Sequence, residues 1–299
     1  MKRAAGALAV LVALGLLASP AGPRRFTSGP SRTTRSTRAI DRANPGDRLV
    51  VHKGTYKDPV VVDKRVRIVG KKKKKGRRKS RKPLITTGCG AGTAVDVTAD
   101  GVRLRRLMIR GGNDFTLNMS LVESGIARQL RLIDSCDALY GINVFNSSPL
   151  QLVQNRTSGY LDAGIYVGGI ENTLGDPLVV RDNQSFGNNR GLIVEDSDDE
   201  PGEAVEIRVV ANHFDDNTIP DPPGEGPPVG IFVNRSHNIT FIDNVAQGNG
   251  QYGVHLDPLS TSNRFFDNTF TDNPTPVFDQ GTGNCGSGNK PAGAFDPCP

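Results

Sequence analysis

Between residues 230 and 257 the chain reads Gly230-Ile-Phe-Val-Asn234, then Ile239-Thr-Phe-Ile-Asp-Asn244 with a second asparagine at Asn249, then Gly253-Val-His-Leu-Asp257. Apolar and polar residues alternate within each piece, which is the period of a strand. The glycine piece recurs upstream as Gly141-Ile-Asn-Val-Phe145, Gly164-Ile-Tyr-Val-Gly168 and Gly191-Leu-Ile-Val-Glu195. It returns more loosely as Ala94-Val-Asp-Val-Thr98 and Asn118-Met-Ser-Leu-Val122. Successive starts lie 24, 23, 23, 27, 39 and 23 residues apart. The asparagine piece recurs as Leu178 to Asn183 with Asn188, Ile207 to Asn212 with Asn217, and a shortened Phe265 to Asn268 with Asn273. Leu150 to Asn155 carries Tyr160 at the second asparagine position.

A unit of about 23 residues with short strands and turns cannot bury its own apolar face, whereas stacked copies can. The reading is an all-β coil of parallel strands, one unit per turn, with turns about 4.8 Å apart. An asparagine at the same corner of each turn can bond its amide to the next, so these asparagines are read as structural.

With these repeats the chain resembles the right-handed parallel β-helix proteins of the pectate-lyase-like superfamily, over roughly residues 94–278. Asn44-Pro-Gly-Asp-Arg-Leu-Val-Val51, Lys53-Gly-Thr-Tyr56 and Val66-Arg-Ile-Val-Gly70 resemble the usual start of secreted members, with Ser36 to Ala43 as a short capping helix. The resemblance implies a solenoid but no single activity, since the fold hosts lyases, hydrolases, epimerases and proteins without a known reaction.

Composition agrees. Hydrophobic residues are 36% of the 299, Trp is absent, and 35 Gly and 20 Pro demand frequent turns, which excludes a helical bundle or a protein that crosses a membrane many times. Lys2 and Arg3, the apolar run Ala4 to Leu17 and the small residues Ser19 to Ala21 have the form of a secretory signal peptide over 1–21. The expected organisation is then a linker and cap at 22–46, the β-helix at 47–278 with a basic loop at 71–83, and a disulfide-closed tail at 279–299. The product is expected to be secreted or held at the cell envelope, with no spanning segment after cleavage.

An even count of four cysteines in an exported chain implies disulfides, with three possible pairings. Cys285–Cys298 would close a short loop in the Gly/Pro-rich tail, and Cys89–Cys136 would follow. Residues 22–82 carry 22 Lys/Arg against 4 Asp, whereas residues 83–299 carry 13 Lys/Arg against 27 Asp/Glu. The net charge of +6 therefore hides a basic start on an acidic body. The run Lys71 to Lys82 suits a solvated loop or a contact with an anionic cell-wall polymer. Nucleic acid is not expected in an exported chain without interleaved aromatics.

If the residues after each glycine point inward, the alternates form two outward rows. One runs Asp96, Ser120, Asn143, Tyr166, Ile193, Phe232, His255 and the other Thr98, Val122, Phe145, Gly168, Glu195, Asn234, Asp257. His255 and Asp257 on one strand are the candidate acid/base couple, with Glu195 two turns away, about 9.6 Å. Tyr166 and Phe232 are the candidate sugar platforms, with Asn234 beside them. Acidic loops at 169–177 and 196–204 make calcium the candidate ion, with Asp196, Asp198 and Asp199 as candidate ligands. Histidines and methionines are too scattered for a metal-delivery role. The motif comparison withholds a specific reaction: no Asn-Thr-Asp or Gly-His-Gly of polygalacturonases is present. Arg190 and Arg235 match no pectate-lyase motif, and His255-Leu-Asp257-Pro258 has the residue types of the alginate-epimerase Asp-Pro-His-Asp run in another order. The expected function is engagement of a polysaccharide on the outer face, as a hydrolase, lyase or epimerase. The alternative is a wall-associated or adhesive binding protein anchored by the basic segment.

Overall fold

The computed structural model describes residues 25–28, 36–71, 82–170, 177–197, 207–220 and 226–299. The signal-like segment, the bulk of the lysine run and most of the acidic loop residues, Asp198 and Asp199 included, lie outside the described residues.

A full turn in the middle of the coil contributes one strand to each of three parallel sheets. Taking one turn as the example, Tyr140–Phe145 belongs to a nine-stranded sheet (sheet 1), Leu150–Val153 to an eleven-stranded sheet (sheet 2) and Arg156–Ser158 to a seven-stranded sheet (sheet 3). The chain then returns to sheet 1 at Ala163–Gly168, paired in parallel with Tyr140–Phe145. Alternate residues face inward, so Ile142, Val144, Leu150 and Leu152 are fully buried, as are their counterparts in the turns above and below. The glycine motif is sheet 1, and the asparagine motif covers sheet 2 and the corner into sheet 3.

The asparagines form two ladders inside the coil. At the tight corner between sheets 2 and 3, Asn183 Nδ2 donates to Asn212 Oδ1 at 3.0 Å, Asn212 to Asn244 at 2.9 Å, Asn244 to Asn268 at 2.9 Å and Asn268 to Asn289 at 3.0 Å. Each also takes a backbone carbonyl, as Asn212 does with Val180 at 2.8 Å. The second ladder runs Asn188, Asn217, Asn249 and Asn273. These side chains satisfy backbone groups that the corner takes out of the strand ladders, where an unpaired buried group would cost about 1–3 kcal/mol. The second ladder also explains the motif glycine. A Cβ on Gly230 would lie 2.7 Å from Asn249 Nδ2 and 2.7 Å from the Gly253 carbonyl, so no other residue fits under the amide row.

The register corrects one expected repeat. Asn118 pairs with Asp96 and Asn143, and Ser120 pairs with Phe145. The outward rows therefore contain Asn118 and Ser120, in place of Ser120 and Val122, and Val122 is buried. Leu121 adopts φ 57° and is exposed, because it turns the corner rather than extending the strand.

Both ends are closed. The helix Ser36–Asp41 covers the first turn with Ile40 in the core. At the other end the coil runs past residue 278, since Cys285–Ser287 pairs with Arg264–Phe266 in sheet 2. The Cys285–Cys298 disulfide folds the tail back, and Phe295 stacks on Phe265 at 4.2 Å. The second disulfide joins Cys89 and Cys136.

Candidate functional site

Among the described residues, the outward face of sheet 1 and the corner that follows it gather the candidates Tyr166, Glu195, Asp196, Phe232, Asn234, His255 and Asp257. Tyr166, Ile193, Phe232 and His255 occupy successive rungs of one row and continue to Phe278. Glu195 and Asn234 are paired in the neighbouring row, and Asp257 follows on the His255 strand.

Around residue 195 the groups are tied to each other. Tyr166 Oη donates to Glu195 Oε2 at 2.8 Å, and Asn234 Nδ2 donates to Glu195 Oε1. Arg235 lies 3.5 Å from Glu195 Oε1 and makes a two-pronged pair with Asp196, at 2.5 and 2.7 Å. Both Glu195 oxygens are thus engaged, and Asp196 is paired with the Arg235 guanidinium. The Tyr166 ring is only 9% exposed, packed against Ala163 and Ile193 and stacked on Tyr140 at 4.6 Å. The expectation that Tyr166 offers a flat platform is therefore corrected: its ring is covered, and its hydroxyl orients Glu195. Burial, followed by the Glu195 contact, pushes the Tyr166 phenol well above its ordinary range.

Beneath this cluster Arg190 is 4% exposed and pairs with the buried Asp162. Asp162 also raises the Tyr140 phenol, after burial itself, and the Arg190 guanidinium stands 5.4 Å from the centre of the Phe232 ring. The sequence left this pair unread. Its only trace is that the position before each motif glycine, occupied by Tyr140, Ala163, Val229 and Tyr252 elsewhere, holds a lone arginine at 190.

Two rungs further, His255 sits among three rings. Phe232, Tyr252 and Phe278 have centroids 4.9, 5.1 and 5.1 Å from the imidazole. Burial lowers the His255 pKa, so the imidazole is neutral at neutral pH. Nε2 lies 3.2 Å from the exposed Gln280 Oε1, and Nδ1 is buried with no hydrogen-bond partner among the described residues. An unpaired lone pair costs less here than an unpaired N–H, so the favoured tautomer donates from Nε2 to Gln280. The expected His255–Asp257 couple does not form. Asp257 Oδ1 instead accepts from the Arg235 backbone N–H at 2.9 Å and from Ser260 Oγ at 2.6 Å. Ser260 itself belongs to a ladder missed in the sequence, in which Ser197 N–H donates to Ser236 Oγ and Ser236 N–H to Ser260 Oγ.

Among the described residues no group of three or more His, Cys, Asp or Glu is arranged to hold a metal ion, and no helix is long and apolar enough to cross a membrane.

Three solved structures are similar to this chain in fold. Pectate lyase Pel9A aligns over 91% of this chain and 81% of its own, with 11% identity and a TM-score of 0.62. The alginate lyase from Paenibacillus sp. aligns over 86% and 93%, with 17% identity and a TM-score of 0.50. The A-module of the Azotobacter vinelandii mannuronan C-5 epimerase AlgE4 aligns over 85% and 80%, with 15% identity and a TM-score of 0.52. A search of curated protein sequences found no match. The two disulfides mark a chain that folds outside the cytoplasm. Residues 123–290, more than half of the sequence, match the family profile described as periplasmic copper-binding protein (NosD), and the chain belongs to that family.

Proposed function

We propose that the outer face of sheet 1 binds a linear polysaccharide, with the rings of Phe232, Tyr252 and Phe278 as the platform and His255 as the group that handles a proton. The observation that carries this reading is the ring cluster around a neutral imidazole. Flat apolar faces repeated about every 4.8 Å along a solenoid match a chain of pyranose rings. The exposed Gln280 is the side chain a ligand would displace to reach Nε2, and for Nε2 then to accept a proton the imidazole must carry its own hydrogen on Nδ1 instead. The pectate and alginate lyases and the epimerase of the same fold act on polysaccharides of this kind and support the substrate class.

Within that reading, proton transfer at carbon, as in a lyase or an epimerase, suits the face better than hydrolysis. Hydrolysis needs two carboxylates free to act as acid and base. Glu195 is engaged on both oxygens, which leaves Asp257, whose two donors both fall on Oδ1, as the single carboxylate of the candidate pair with an oxygen open. Glu195, Asn234 and Tyr166 are assigned to holding the face in shape, and Asp257 to orienting the corner beside His255.

The copper named in the family description does not fit the described donors. All four cysteines are in disulfides, and the histidines His52, His213, His237 and His255 lie on separate turns or sheets. Met119 is fully buried in the core, and Met108 stands in the sheet 3 strand Met108–Arg110 beside lysines and arginines, with no histidine or cysteine among the residues around it. No step is therefore routed through copper. The other candidate calcium ligands, Asp198 and Asp199, lie outside the described residues.

The test is a proton NMR time course of the mature protein with polygalacturonate, alginate and a neutral glucan, with and without calcium. New unsaturated-sugar or epimerised-proton signals, reduced about a hundredfold or more in His255→Ala, would support the reading. Turnover that survives His255→Ala, or new reducing ends without unsaturation, would overturn the assigned chemistry.

A further inference from the structure

Away from sheet 1, the first turns of the coil present cations that no ion pair among the described residues neutralises. In sheet 2, Arg48, Arg67 and Arg103 pair rung to rung, and Arg105 pairs with Arg128 in the next outward row. Like charges directly opposite on parallel strands repel. Among the described residues none of these five forms an ion pair, and the strands of sheet 2 contain no Asp or Glu from end to end. The guanidinium groups rest on neutral acceptors instead: Arg105 Nε on Gln129 Oε1 at 3.1 Å, Arg128 Nη2 on Gln154 Oε1 at 3.3 Å. At the adjoining corner, Arg106 Nε bonds the Gly70 carbonyl at 3.1 Å, and its pKa is lowered by burial and then by Arg105 and Arg48.

Around that corner, sheet 3 opens into a groove of about 430 Å³. Lys53, Lys82, Arg110 and Arg131 line it with no acidic residue, and Leu84, Met108 and Ile133 form apolar wall between the charges. The basic character weakens along the axis. The corner position held by Arg106, Gln129 and Gln154 in the early turns becomes Asp182, Asp243 and Asp267 later. Later strands of sheet 2 still carry Arg181, Arg208 and Arg264, but none of them faces a second arginine on a neighbouring rung and Arg181 lies 3.7 Å from Asp182, so the rungs of facing arginines in sheet 2 belong to the first turns of the coil.

We infer that this face, from Arg67, Arg103, Arg105 and Arg128 across to Arg131 and Lys82, is a second binding site, for a linear anionic polysaccharide. Cations repeated at the turn spacing of about 4.8 Å meet a polymer with one carboxylate per sugar ring nearly in register. The apolar residues between them suit the C–H faces of the rings. No aromatic side chain stands among the groove residues for a nucleobase to stack on. The site is built from the folded turns themselves and is separate from the His255 face, so a polymer could be held at one and engaged at the other.

The test measures binding of a fluorescent oligogalacturonate to the mature protein by anisotropy, at low and at physiological ionic strength. Wild-type binding is expected to weaken steeply with salt. Arg103→Gln/Arg105→Gln/Arg128→Gln is expected to lower affinity about tenfold or more and to flatten the salt dependence, since fewer counterions are released. These side chains point outward, and an unchanged thermal transition checks that the variant is folded. Phe232→Ala/His255→Ala, impaired only at sheet 1, should keep the salt-sensitive binding, which separates failure of this inference from failure of the polysaccharide reading of sheet 1. A variant with residues 72–81 replaced by a Gly/Ser linker should keep most of the arginine-dependent binding. Affinity unchanged in the triple-arginine variant, or abolished by the linker replacement alone, would overturn the inference. So would tighter binding of an oligonucleotide or of anionic lipid vesicles than of oligogalacturonate at the same salt.

Discussion

The outward face of sheet 1 and the outward faces of sheets 2 and 3 at the start of the coil share one backbone geometry and solve opposite electrostatic problems. Sheet 1 carries one basic residue in its strands, Arg190, and that residue is buried against Asp162. Arg235, on the adjoining corner, is paired with Asp196. The charges around residue 195 therefore close on one another and leave rings and an imidazole as the groups free to meet a ligand. The basic face has cations, neutral acceptors and no carboxylate. A face with its charges closed recognises by shape and stacking, and its binding should tolerate salt. A face with its charges open recognises by counter-charge and should not.

The largest effect that would break this contrast is at its most closed point. Arg190→Ala removes the counter-charge of the buried Asp162, leaving it the Tyr140 hydroxyl, and should cost about 3–5 kcal/mol, read as a shift in the urea midpoint. A loss under about 1 kcal/mol would mean that the sheet 1 charges are not mutually dependent. Tyr166→Phe removes one hydrogen bond to the Glu195 carboxylate and should cost about 1.5–3 kcal/mol in the same assay. On the basic face the sign should reverse: Arg103→Gln/Arg105→Gln relieves like-charge repulsion and should stabilise the free protein by a few tenths of a kcal/mol to about 1 kcal/mol. Added salt should shrink this gain. If that pair of substitutions destabilises the protein, the face is structurally needed and not open.

The smallest expected effect concerns pH. The folded state lowers the His255 pKa, so the unfolded chain binds more protons as pH falls through the ordinary imidazole range near 6.5. Stability from this residue is present above that range and declines below it. His255→Gln should remove that part of the acid dependence, checked by urea titrations on either side of the range. An identical pH slope in the variant would show that burial does not hold this imidazole neutral.

The coil was legible because its constraints repeat. Inward Ile-x-Val pairs, an asparagine at each tight corner and a glycine beneath the second asparagine amide follow from neighbours one turn away, so each copy carries the same signature. The slip at residues 116–120 shows the limit: alternation of period two fits Leu117/Met119 and Met119/Leu121 equally, and only the exposed corner at Leu121 decides. The candidate site was legible as a set of rows but not as contacts. Nothing in Tyr166-Val-Gly168 says that the ring is covered or that its hydroxyl reaches Glu195 on the next turn. The Arg190–Asp162 pair escaped because Asp162 lies in a connecting loop outside the repeat. The basic face was half visible. The lysine run drew attention to residues 71–82, while the arginines spaced one turn apart in sheet 2 became a face only when the register stacked them.

The most direct test of the two-face account follows the histidine side chains by heteronuclear NMR while an oligogalacturonate is added to the mature protein. His255 reports on sheet 1, and His52, beside the groove residue Lys53, reports on the basic face. The account predicts that both signals move at low salt, that only the His52 response disappears at higher salt, and that His213 and His237 stay still. A His255 signal that never moves, or two responses that vanish together with salt, would contradict it.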